Sequence, residues 1–144
     1  MRSEKLSYPG IAGAVGGVVG LAGVYASWFR VSGPAGTFEV DGTADASGKL
    51  ALAMSIALFA FSVGYVLLDD PRIRRSMAAL MTVTAVVVSL ACVWGVARAD
   101  GSGLAFGIYL SGIGGVLGIA AGILSLGDAP PDREIADDTE AVVS

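Results

Sequence analysis

The sequence predicts an all-α membrane protein, folded as a bundle of four transmembrane helices, and three observations lead to this fold class. Of its 144 residues, 54% are hydrophobic, which exceeds the roughly 45 to 50% typical of soluble domains. Four blocks contain no Asp, Glu, Lys or Arg, and they cover residues 10–29, 50–68, 77–96 and 104–126. Each block is close to the ~20 residues that an α-helix needs to cross a membrane. None shows the polar stripe of a water-soluble helix.

The first and fourth blocks are predicted to pack most tightly, because small residues recur in them at helical spacing. In lipid, such residues let helix backbones approach closely and gain van der Waals contact. The candidate packing residues are Gly13, Gly16, Gly17 and Gly20 in the first block, and Gly107, Ser111, Gly114, Gly115, Gly118 and Gly122 in the fourth. The small residues of the fourth block form two faces on that helix. We favour packing of both faces within one bundle over a homo-oligomer.

The distribution of basic residues predicts a multi-pass protein of the cell membrane with both termini in the cytoplasm. Lys and Arg are enriched on the cytoplasmic side of membrane proteins. This orientation places Arg2, Lys5, Arg72, Arg74, Arg75 and Arg133 inside and Arg30, Lys49 and Arg98 outside. The aromatic side chains of Trp28, Trp94 and Tyr109 then lie at the outer interface, and those of Tyr8 and Tyr65 at the inner one. The alternative of a signal peptide cleaved before Ser27 would leave three spans.

The lipid bilayer is the expected partner of the chain. Basic residues of the inner loop are expected to lie beside its headgroups. Arg72, Arg74 and Arg75 are candidates for contact with anionic lipid, although the positive-inside rule alone also explains them. The acidic segment 127–144 is expected to be a disordered cytoplasmic tail, which leaves residues 1–126 as the transmembrane domain.

The first outer loop is the largest segment between two blocks, and its sequence predicts a small β-hairpin. The stretch SGPAG favours a turn, TFEV alternates as a strand does, and the DG pair signals a hairpin turn. Its carboxylates Glu39, Asp41 and Asp45, with Asp100 from the other outer loop, could gather around a hard cation. We expect them instead to form a solvated acidic surface, because their spacing matches no calcium-binding loop.

The composition favours a protein that acts by packing rather than by catalysis. The chain has no His, and no nucleophile with a visible base, so we do not expect this protein to be an enzyme. The glycines of the fourth block do not form a dinucleotide fingerprint, because Leu117 stands where the third glycine belongs; we expect no cofactor and no metal. A net charge of −4 argues against a nucleic-acid partner.

Two functional hypotheses remain open from the sequence. The first is a structural, scaffold or accessory subunit that acts through helix packing, with a second copy or another membrane protein as partner. The alternative is a small pore or transporter-like protein, whose path would be lined by hydroxyl groups such as those of Thr82, Thr84 and Ser89.

The layout of four spans with a β-rich first outer loop resembles the claudin and peripheral-myelin-protein class of tetraspan proteins over residues 8 to 126. Trp28 and Phe29 carry the local part of this resemblance. Residues 30–49 depart from that class, because they contain neither its tryptophan signature nor its cysteine pair. The chain is more similar to small four-span membrane proteins of prokaryotes, with a halophile-like acidic composition. That resemblance implies no activity.

Overall fold

Four α-helices account for most of the computed structural model, which describes residues 8–99 and 103–127. They are α1 (Tyr8–Tyr25), α2 (Ala46–Leu67), α3 (Pro71–Ala97) and α4 (Phe106–Gly127). All four are long and apolar enough to cross a membrane. The prediction of four such helices is therefore confirmed, and the chain has the features of a multi-pass membrane protein.

The helices form a square bundle in which consecutive helices pack side by side. α1 contacts α2 and α4, and α3 contacts the same two helices, while the diagonal pairs make few contacts. One buried cluster surrounds Trp28 and Val88, and a second one surrounds Leu58 and Met81. This arrangement is the up-down bundle that short connections favour. We call its two ends the sheet end, where α2 and α4 begin, and the loop end, where α2 connects to α3.

α1 is shorter than the first apolar block, because the chain leaves the helix at Tyr25 rather than at Phe29. The Trp28 side chain turns back over the helix end and donates its Nε1–H to the carbonyl oxygen of Gly23, at 2.9 Å. The carbonyl groups of the last turn of a helix have no hydrogen-bond partner within the helix, and this bond satisfies one of them. The following aromatic and β-branched residues favour a strand.

α3 begins before the third apolar block and includes the arginine-rich segment that the sequence placed in a loop. The Asp70 carboxylate accepts a hydrogen bond from the backbone N–H of Arg72, at 2.8 Å, and Pro71 occupies the first turn. Both features favour a helix start. The 27 residues of α3 extend over about 40 Å at ~1.5 Å per residue. The arginines therefore lie on a helical extension beyond the apolar block.

A small antiparallel sheet covers the sheet end, with the strands β1 (Ser27–Gly33), β2 (Gly36–Asp41) and β3 (Gly103–Leu104) in the order β2-β1-β3. The predicted hairpin is confirmed. Its turn contains Pro34, whose ring fixes φ, and Gly36 at a φ of 122°, a region that favours glycine. The DG pair was wrongly read as a turn signal, because Asp41 instead caps a 3₁₀ helix, Gly42–Ala44.

Candidate functional site: an apolar groove between α3 and α4

The predicted packing glycines lie between helices of the same chain. A Cβ atom on Gly114 would lie 2.6 Å from the carbonyl oxygen of Gly16, and one on Gly107 would lie 2.6 Å from that of Gly23. These contacts join α1 to α4. A Cβ atom on Gly17 would lie 2.9 Å from the Cβ of Phe59 on α2 and 3.0 Å from its backbone nitrogen. Because the atoms that obstruct Gly107 and Gly114 belong to backbone, α1 and α4 come as close as their main chains allow.

Both small-residue faces of α4 are occupied inside one bundle. Ser111 donates a hydrogen bond to the carbonyl oxygen of Gly20 on α1, at 3.4 Å. Gly115 faces Ser89 on α3, and Gly118 faces Leu58 on α2 together with Ala85 on α3. Both faces therefore contact other helices of the same chain.

The hydroxyl groups of the spans fit into glycine positions of neighbouring helices. A Cβ atom on any of five glycines would come within 3 Å of a hydroxyl oxygen. The pairs are Gly13 with Ser62, Gly20 with Ser55, Gly23 with Ser111, Gly115 with Ser89, and Gly122 with Thr82. We call them hydroxyl–glycine pairs. Such close contact replaces the hydrophobic force that is missing between helices in lipid.

Most hydroxyl groups of the helices bond to a carbonyl of their own helix, as expected for helical Ser and Thr. Thr82 donates to the carbonyl oxygen of Ala78 at 3.0 Å, Thr84 to that of Leu80 at 2.7 Å, and Ser89 to that of Ala85 at 3.0 Å. Among the described side chains, the Oγ of Ser55 is the buried polar atom without a hydrogen-bond partner. A Cβ atom on Gly20 would lie 2.6 Å from it.

An open groove of about 540 Å³ lies between α3 and α4 toward the sheet end. Three small residues line it, which are Ser89 and Cys92 on α3 and Gly112 on α4. A Cβ atom on Gly112 would meet no atom within 4 Å. Larger exposed side chains flank these residues, namely Val93, Val96, Tyr109, Ile113 and Val116. The groove offers a concave apolar surface with small residues at its centre, and its lining contains no Asp, Glu, Lys or Arg.

A second groove of about 370 Å³ lies between α1 and α2 toward the loop end. It is also apolar, and Ser62 on its wall donates a hydrogen bond to the carbonyl oxygen of Leu58 at 2.7 Å. The groove between α3 and α4 is the better candidate site. It is larger, and Gly112 is a helical glycine that no other helix covers. Gly112 was not among the packing residues that the sequence predicted.

The structure places the three candidate interface aromatics differently. Trp28 is fully buried between the helices, where it fills the top of the bundle core, rather than facing lipid. Trp94 and Tyr109 are exposed near the sheet end, and the guanidinium of Arg98 lies 4.4 Å from the ring centre of Trp94. Tyr25, which ends α1, is exposed at the same level. Tyr25, three residues before Trp28, was the aromatic residue in the sequence that could have marked the end of α1.

At the loop end, the arginines lie in the first turns of α3. Arg74 places its guanidinium 4.6 Å from the ring centre of Tyr65. Tyr65 is buried, so it packs inside the protein rather than facing the interface. Arg72 and Arg75 are exposed there as well. The expected tail, together with Arg2, Lys5 and Arg133, lies outside the described residues.

The carboxylates that the sequence placed in the outer loops are engaged separately by their neighbours. Glu39 accepts hydrogen bonds from Ser27 at 2.6 Å and Arg30 at 3.1 Å, which lower its pKa. The Thr43 hydroxyl lowers the pKa of Asp41, and the Ser47 hydroxyl lowers that of Asp45. Across residues 8–99 and 103–127, no three acidic, Cys or His side chains come together as metal ligands. Asp100 lies outside the described residues.

Comparison with known proteins gives no match, since no family model, no curated protein and no solved structure is similar to this chain. The class of protein therefore rests on the fold, which is a bundle of four helices long and apolar enough to cross a membrane.

Proposed function

We propose that this chain is a non-enzymatic accessory subunit of a membrane complex, and that it holds a transmembrane helix of a partner in the groove between α3 and α4. The observation that carries the proposal is Gly112. It lies open at the centre of the groove, whereas the other glycines near it face neighbouring helices. In lipid, an exposed small residue between larger ones permits the close approach that drives helix association.

The dimensions of the groove suit one crossing helix. Its lining runs from Ser89 to Val96 on α3 and from Ile108 to Leu117 on α4. At ~1.5 Å per residue these stretches extend over about 10 to 14 Å. A helix has a diameter of about 10 Å with its side chains. Contact would therefore cover about two turns of each helix.

A hydroxyl-lined pore has less support. The hydroxyls of Thr82, Thr84 and Ser89 bond to carbonyls of α3, and those of Thr82 and Ser89 also lie against glycines of α4. Solute or ion flux through liposomes that contain this protein alone, abolished by Ser89→Leu, would support the pore instead.

We also propose that the chain lies in the cell membrane with both termini in the cytoplasm and the sheet outside. The excess of Lys and Arg on the side of the termini supports this orientation. Ser32 in β1 and Ser76 in α3 are exposed at opposite ends, so a cysteine at each position tests it. A membrane-impermeant thiol reagent should label Ser32→Cys in intact cells and Ser76→Cys only after lysis. The reverse pattern would invert the orientation.

Native mass spectrometry of the complex, extracted mildly from its own membrane, tests the accessory function. Gly112→Leu fills the groove and should release the partner while the bundle stays folded. Ala53→Leu is the matched control, because Ala53 is exposed on α2 at a similar depth from the sheet end. It should keep the partner. A wild-type protein that carries lipid alone, or a Gly112→Leu variant that retains its partner, would refute the proposal, and a homo-oligomer would identify a second copy as the occupant.

A further inference from the structure

The hairpin of β1 and β2 has one polar and one apolar face. On the polar face, Arg30 lies opposite Glu39 and forms a salt bridge with it at 3.1 Å. Ser32 lies opposite Thr37, with their hydroxyl oxygens 3.5 Å apart. The other face carries two apolar cross-strand pairs, which are Phe29 with Val40 and Val31 with Phe38. Alternation along the strands keeps the two sets apart.

The apolar face turns toward the ends of α2 and α3. Phe29 packs against the buried cluster around Trp28. An open pocket of about 310 Å³ separates Phe29, Val31 and Val40 from Ala44, Asp45 and Arg98, which lie where α2 begins and α3 ends. The outer apolar pair is less covered, since Val31 is 48% and Phe38 59% exposed. The hairpin thus extends beyond the packed core, and the face that it turns toward the helix ends carries apolar side chains.

The level of this surface relative to a membrane follows from the helix ends below it. Tyr25, Trp94 and Tyr109 are exposed close to the sheet end of three different helices. Tyr and Trp concentrate at the headgroup level of membranes. Arg98 lies over the Trp94 ring and also lines the pocket beneath the hairpin. Lys49, exposed in the first turn of α2, can reach the headgroups along its apolar stem.

We propose that the hairpin is an anchor at the membrane interface, with its apolar face on the lipid headgroup region and Val31 and Phe38 inserted into it. The polar face, with its Arg30–Glu39 pair, then faces water. A lipid surface fits better than a docked protein, because two half-exposed side chains offer far less than the ~800 Å² that each partner buries in a standard interface. The proposal does not depend on a partner in the groove between α3 and α4, or on which side of the membrane the sheet lies.

Spin labels on the two faces of the hairpin test the proposal in the full chain, reconstituted in phospholipid nanodiscs. In a Cys92→Ala background, labels at Val31→Cys and Phe38→Cys should collide often with oxygen, which concentrates in lipid, and rarely with a water-soluble nickel chelate. Ser32→Cys and Thr37→Cys are the matched controls, since each lies next to a test position along its strand but on the other face. Their ratio of oxygen to nickel accessibility should be several-fold lower.

Equal accessibility to the nickel chelate at all four positions would refute the anchor. Shielding of Val31 and Phe38 from both reagents, seen in the complex extracted from its own membrane but not in nanodiscs, would also refute it and indicate a protein interface. Phe38→Trp gives a second, conservative measurement if a labelled protein does not fold. Its added fluorescence should be quenched by lipids brominated close to the headgroup, and unchanged fluorescence would overturn the proposal.

Discussion

Gly112 and Gly114 lie two residues apart on α4, and alanine substitutions there should have opposite effects on stability. At Gly114 the added Cβ would lie 2.6 Å from both the carbonyl oxygen of Gly16 and the backbone nitrogen of Gly20. Ordinary contact begins near 3.4 Å, so α1 and α4 would have to separate by about 0.8 Å. Both obstructing atoms belong to backbone and cannot move aside as a flexible side chain would.

The magnitude follows from two opposing terms. Overpacking of a well-packed core costs about 1 to 3 kcal/mol, and the backbone contacts at Gly114 place it at the upper end. Replacing a helical Gly by Ala gains up to ~1 kcal/mol from helix propensity. Gly114→Ala should therefore lose about 2 kcal/mol, whereas Gly112→Ala, which meets no atom within 4 Å, should be neutral or more stable. The difference of about 2 to 3 kcal/mol is about thirtyfold to more than a hundredfold in the folding equilibrium.

Reversible unfolding in mixed detergent micelles, followed by circular dichroism, measures both variants against the wild type. The shared gain in helix propensity cancels in the comparison, which isolates the contact between α1 and α4. Equal stabilities of the two variants would refute the close approach of the helices at Gly114.

Three further predictions concern the two ends of the bundle. Trp28→Phe should destabilise the fold by about 2 kcal/mol, because it leaves the buried Gly23 carbonyl without its donor; a loss below ~0.5 kcal/mol in the same unfolding assay would contradict this. Asp45 caps α2, and the Ser47 hydroxyl lowers its pKa from 3.8, so its stabilisation is present above that value and is lost as pH falls below it. Between about pH 7 and about pH 3 the wild type should lose more of its Tm than Asp45→Asn, whose cap does not titrate; equal losses would exclude this role. Arg72→Gln should lower retention of anionic lipid in native mass spectrometry by about 1 kcal/mol, and unchanged retention would show that this arginine contacts no lipid.

The sequence predicted the helices well because apolar length is their main determinant. Four charge-free blocks led directly to four helices, and the turn residues around Pro34 led to the hairpin. The helix ends were less predictable, since hydrophobicity does not separate a buried strand residue such as Trp28 from the end of a span. β3 was missed because two residues carry no periodic pattern.

The candidate site was predictable only in part. Small-residue spacing identified α1 and α4 as packing helices, but spacing alone does not say which glycine meets a neighbour. Gly112 and Gly114 look alike in the sequence and differ in the structure, because a helix surrounded on two sides leaves its third side open. Which side stays open depends on how the other three helices are arranged, and that is a property of the whole bundle.

The hydroxyl–glycine pairs also determine how the helices can move against each other. Ser62 and Ser55 on α2 meet Gly13 and Gly20 on α1, and Ser89 and Thr82 on α3 meet Gly115 and Gly122 on α4, so each interface is matched twice, seven residues apart. A slide of one helical turn would bring each hydroxyl against a different residue at both levels together. Sliding of packed helices is a common means of conformational change. Here it would be opposed at the α1–α2 and α3–α4 interfaces, each of which holds two hydroxyl–glycine pairs. Sliding should therefore be opposed within the α1–α2 and α3–α4 pairs, and the backbone contacts of Gly16 and Gly23 on α1 with Gly114 and Gly107 on α4 oppose it between these pairs as well.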